Sequence, residues 1–130
     1  MIKYLLLVAC LGLSACGSSN SGSTGSTTNN TPQAACAGMI HLGIWHEPVT
    51  GETVTLYADC SGTSDICAST FKFSPVKTSK PHPVSIEILT TNGGPSCLPV
   101  GVHACVTTVY GSQDQSLDLN CGGMTVGYQR

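Results

Sequence analysis

Six cysteines, Cys36, Cys60, Cys67, Cys97, Cys105 and Cys121, punctuate this 130-residue chain from residue 36 onward. An even cysteine count in a short exported domain reads as three disulfides, which confine a chain too small to depend on its core alone. The rival use of thiolates is a metal site. No two of the six stand as Cys-x-x-Cys, the spacing that structural zinc sites favour. Many pairings are open to six cysteines. The single best expectation is Cys60 with Cys67, closing the 61–66 loop between two strands.

The segments between the cysteines read as β-structure. Residues 39–46 alternate, with Ile40, Leu42 and Ile44 on one face and His41, Gly43 and Trp45 on the other. Residues 47–52 are turn material, and 53–58 alternate again, so 39–58 predicts a hairpin. Phe71 and Phe73 share a face around Lys72, and Val84-Ser85-Ile86-Glu87-Ile88 is the cleanest alternation in the chain. Asn92-Gly93-Gly94-Pro95 signals a turn. Residues 100–110 keep Val100, Val102, Ala104, Val106 and Tyr110 on one side, and 117–119 and 124–128 supply the last strands. No long stretch carries a helical apolar period. Seven short strands stapled by disulfides predict a β-sandwich or a partly open barrel over residues 36–130. Cys36-Ala37-Gly38-Met39 also echoes Cys121-Gly122-Gly123-Met124, a hint that the first and last strands are similarly placed.

The N-terminus has a different character. Lys3 precedes an apolar run over residues 4–13, too short for a helix that must span a bilayer with about 20 apolar residues. The run ends in Leu13-Ser14-Ala15-Cys16, which resembles the lipobox of bacterial lipoprotein precursors. That resemblance implies a signal peptide at 1–15 and a diacylglyceryl group on the Cys16 thiol, with Cys16 as the new N-terminus. Gly17 follows the cysteine rather than Asp, which resembles the class sorted to the outer membrane where the host has two membranes. Residues 16–35 then form the lipidated cysteine and a Ser/Gly/Thr/Asn tether without large apolar side chains, expected to be disordered. Its typical reach is roughly 25 Å. No cofactor is expected beyond the covalent lipid, and the expected partners are the membrane and an envelope or surface protein.

Charge excludes one class of partner. Without Lys3, four cationic residues (Lys72, Lys77, Lys80 and Arg130) face seven acids, a balance of 4 − 7 = −3. Nucleic-acid binding demands a basic face that this chain lacks. The three lysines in one segment read as a solubility feature.

Catalytic signals are weak. There is no Gly-x-Ser-x-Gly elbow, no Ser-x-x-Lys and no phosphate-binding glycine loop. Glu47 and Glu52 flank one turn and read as a solvated loop rather than a paired-acid site. His41 and His103 fall on the less apolar faces of their strands. If those strands were neighbours, the two imidazoles could share a metal with Glu47 or Asp118; the plainer reading is a pair of solvated polar residues. Trp45 stands out of phase with the Ile40/Leu42/Ile44 stripe and reads as core in a strand buried on both faces, the alternative being an outward contact anchor. These observations predict a lipid-anchored, non-enzymatic binding or structural module of the cell envelope. The alternatives are a tethered inhibitor of a hydrolase and a metal-binding lipoprotein using His41 and His103.

Overall fold

The computed structural model of this chain describes residues 34–130. The expected signal segment 1–15, the expected lipidation site Cys16 and almost all of the expected tether lie outside the described residues. Eight strands follow in chain order: β1 (Gly43–His46), β2 (Thr53–Leu56), β3 (Ser61–Ser64), β4 (Ser69–Phe73), β5 (His82–Thr90), β6 (Gly101–Tyr110), β7 (Ser116–Cys121) and β8 (Met124–Gln129). Each is antiparallel to the next, and β8 returns to β1, so the sheet closes on itself. The expected fold class is therefore met in its barrel form. A sandwich is not formed, because every strand finds both neighbours within one continuous sheet.

The additional strand is β3, Ser-Gly-Thr-Ser, in the stretch expected to be a loop. It carries no large apolar side chain, so nothing in its pattern announces a strand. Its inward positions are Gly62 and Ser64, and a Cβ at Gly62 would collide with the ring of Phe71 on β4. Glycine is needed there so that an aromatic ring can lie across the barrel wall. At the β7–β8 connection, Cys121 pairs directly with Met124 across Gly122 and Gly123. Both glycines have positive φ, 61° and 90°, as a two-residue hairpin requires. The echoing Cys36–Met39 tetrapeptide is also a turn, closed by Met39 N–H donating to the Cys36 carbonyl at 3.1 Å.

Two apolar stripes lie opposite to the simplest reading of the sequence. Ile44 is 54% exposed while Trp45 is fully buried, so only Trp45 of β1 enters the barrel and the strand is not buried on both faces. On β6 the inward side chains are Cys105, Thr107 and Val109, whereas Val102 is 70% exposed. The cause is register. Side chains paired across an antiparallel ladder share a face, and Val84 of β5 pairs with Cys105 while Ile86 pairs with His103. The strong alternation of β5 puts Val84, Ile86 and Ile88 inside and carries the matching phase of β6 with it.

Closure between β1 and β8 rests on one ladder pair, His46 with Gln129. Arg130 completes the seam. Its guanidinium donates to the carbonyls of Ile40 (2.5 Å) and Leu42 (2.7 Å) and lies 4.1 Å from the Trp45 ring centroid. A delocalised planar cation, with one nitrogen donating to both carbonyls, suits that position stacked on the indole better than a lysine would.

Three disulfides tie Cys36 to Cys60, Cys67 to Cys97 and Cys105 to Cys121. The expected Cys60–Cys67 pair is not formed. Strand β3 stands between those two residues, and an extended strand adds about 3.3 Å per residue, so they sit at opposite ends of the barrel. Cys105 and Cys121 are direct ladder partners within the wall. The other two bonds strap the ends. Cys36–Cys60 holds residues 34–42 across the end where β1 begins, and Cys67–Cys97 holds the 91–100 connection across the end where β1 finishes.

Candidate functional site: the barrel interior

An eight-stranded barrel is just wide enough to be filled by its own side chains or to hold one small ligand. Here the side chains stop short of filling it. A cavity of about 140 Å³ runs inside, walled mainly by apolar groups such as Phe71, Phe73, Val84, Ile86, Ile88 and Leu117. Met39 and Val76 close it where β1 begins, with the Val76 N–H donating to the Met39 sulfur at 3.4 Å. Leu98 and Met124 stand at the other end.

Ser69, Ser96 and Thr107 add hydroxyl-bearing side chains to this lining, and two further polar features carry more chemistry. The first is Glu52, at the foot of β2. Its carboxylate accepts from the Tyr128 hydroxyl at 3.1 Å and from the Ser64 hydroxyl. Burial, and then the Glu52 charge, push the Tyr128 phenol well above its ordinary range, so Tyr128 stays a donor. Both oxygens of Glu52 therefore already have partners. The neighbouring Glu47 belongs to the turn rather than the cavity. It accepts from the Val49 and Thr50 amides and the Thr50 hydroxyl, led by the Thr50 side chain, and these bonds hold its carboxyl below the usual range. The two acids flank one turn as expected, but they serve different tasks and do not form a pair.

The second feature is His41. It is 3% exposed, lines the cavity, and neither ring nitrogen has a hydrogen-bond partner among the described residues. Its backbone is held firmly, because its carbonyl accepts the Trp45 indole N–H at 2.7 Å while Arg130 binds the carbonyls on either side. Burial first, and then the nearby Arg130 charge, lower the imidazole's affinity for a proton. A neutral imidazole offers one donor and one acceptor. The sequence reading of a solvated polar His41 is thereby corrected: the segment that carries it turns inward over the barrel mouth instead of extending β1.

His103 does not join it. It lies near the start of β6, and its Nε2 is 2.7 Å from the Pro99 carbonyl. Asp118 accepts from the Tyr110 hydroxyl at 3.2 Å, and Glu47 is bound within its own turn. Among the described residues no cluster of three or more His, Cys, Asp or Glu side chains could hold a metal ion. The metal arrangement weighed for His41 and His103 with Glu47 or Asp118 is therefore not assembled. All six disulfide candidates are used. Arg130 entered the sequence reading only as a charge, and no motif marks its role at the seam. No protein-family model matches the chain, and neither curated proteins nor solved structures give a match.

Proposed function

We propose that this protein is a lipid-anchored envelope module that binds a small molecule inside its barrel and catalyses no reaction. The cavity carries the reading. Apolar space within a stable domain is costly to leave empty, since each lining group forgoes contacts that a guest would restore. Disulfides across both ends suit a rigid receptacle exposed to an oxidising compartment. The lipobox-like Leu13-Ser14-Ala15-Cys16 supports attachment through acyl chains, and two or more such chains are enough for stable anchoring.

Two measurements test the two halves. Cys16→Ser should move the protein from the detergent phase to the aqueous phase on phase partitioning, or leave an uncleaved precursor; unchanged partitioning of a processed protein would refute the anchor. For the interior, xenon is a neutral apolar probe that enters dry cavities of this size. The full-length protein should give a concentration-dependent bound shift in xenon NMR. Val126→Phe, which fills the cavity from β8, should suppress that shift without lowering the melting temperature. No xenon shift in the wild-type protein would end the interior-binding reading.

A further inference from the structure

The lining of the cavity says more about its guest than that it is apolar. We infer that the interior takes an uncharged, mainly apolar molecule of roughly six to ten non-hydrogen atoms bearing one hydroxyl, and that His41 receives that hydroxyl. The inference rests on interior binding as proposed above and adds the chemical class and the anchoring residue.

Size comes first. A cavity of about 150 Å³ holds a benzene-sized guest, and the free space here is about 140 Å³. Long acyl chains do not fit that space, whereas a compact ring or a short branched skeleton does.

Charge comes next. An anion inside the barrel would meet the Glu52 carboxylate with no cation lining the cavity to offset it. A cation could pair with Glu52, whose charge the Ser64 and Tyr128 hydroxyls leave in place, but stripping both charges of water in a mainly apolar space costs more than such a pair commonly returns. An anion without a partner in a mainly apolar interior is strongly disfavoured. The guest is therefore neutral.

His41 sets the remaining requirement. A polar side chain buried to this degree almost always has a partner, and one left without costs the protein stability. His41 is also held in place: the carbonyls of Ile40, His41 and Leu42 are each fixed by Arg130 or Trp45. Such clamping fixes the main chain that carries the imidazole, so only a turn about its side-chain torsions is needed to present a ring nitrogen, itself shielded in this structure, to the guest. A neutral imidazole with a free donor and a free acceptor matches a hydroxyl, which is itself both. A hydrocarbon would leave His41 as it is, and a carbonyl compound would engage only its donor.

The test compares phenol with toluene, which match in shape and differ by a hydroxyl in place of a methyl. In a wholly apolar cavity toluene binds better, because phenol gives up more hydration. Titration calorimetry on the full-length protein should show phenol binding at least as tightly as toluene. His41→Leu should shift the phenol-to-toluene affinity ratio about tenfold toward toluene, the worth of one hydrogen bond. His41→Gln, which keeps a donor and an acceptor, should retain most of the phenol preference. Since His41→Leu removes an unpartnered buried polar group, it is expected to fold at least as stably as wild type. If toluene and xenon bind but the ratio is the same in all three proteins, His41 is served by water alone and the inference fails while interior binding stands. If neither aromatic nor xenon binds, the underlying reading fails as well.

Discussion

His41 concentrates the chemistry of this molecule in one side chain. Its neutral form is favoured in the folded state, by burial and then by Arg130 and His82, with Asp114 opposing. The unfolded chain carries an ordinary histidine near 6.5. As pH falls below that value, the unfolded state takes up the proton first, so folding stability should decline between about 6.5 and the lower folded value. Chemical denaturation from pH 8 to pH 5 should show this loss in the wild type, and His41→Leu should flatten it. A second loss belongs to lower pH. Glu47, Asp59 and Asp65 all have depressed carboxyl pKa values set by bonds to Thr50, Ser61 and Thr53 respectively, and their contribution disappears only as they protonate. An identical profile for wild type and variant above pH 5 would show that His41 is not buried as described. The sequence marked His41 only as a candidate metal partner of His103 on the less apolar face of its strand. It could not show the burial, which depends on residues 34–42 leaving the sheet to cross the barrel mouth.

At the scale of elements, legibility followed side-chain contrast. Strands β4 and β5 alternate large apolar with polar residues, and both were readable with the correct inward face. Strand β6 is apolar on both sides, so its period announced a strand but singled out the Val100/Val102/Val106 stripe, which the structure turns outward. The inward face is chosen by pairing with β5 and by Cys105 meeting Cys121. Strand β3 was invisible because Ser-Gly-Thr-Ser has no contrast at all, and missing it made Cys60 and Cys67 look like neighbours. Non-reducing peptide mapping should recover Cys36–Cys60, Cys67–Cys97 and Cys105–Cys121, with no alkylatable thiol among the six. A Cys60–Cys67 peptide would mean that β3 is not a strand. The straps also have distinct roles. Removing Cys67–Cys97 as a paired Ser variant should cost about 2–4 kcal/mol and free the 91–100 connection to exchange its amide hydrogens faster. The Asn92 amide, which donates to the Cys67 carbonyl at 2.9 Å, is a direct reporter of that loosening.

On the scale of the whole molecule, the barrel turns one continuous sheet into a mainly apolar interior space, with the sheet closed by the short β1–β8 seam. In the proposed reading the chain divides lengthwise into a signal, a lipidated spacer and a receptacle. The receptacle was legible as a disulfide-stapled β-domain, but its hollowness was not. A cavity is the volume that inward side chains fail to fill, and that depends on barrel geometry and register rather than on any motif. The outer face carries its own apolar side chains, Val102 and Val106 among them, which makes the inside-versus-outside question an experimental one. Methyl NMR of the full-length protein titrated with toluene addresses it directly. Binding inside the barrel should shift the methyls of Val84, Ile86, Ile88 and Leu117 in saturable fashion and leave those of Val102 and Val106 in place. Shifts confined to Val102 and Val106, with the interior methyls unmoved, would contradict the barrel interior as the binding site.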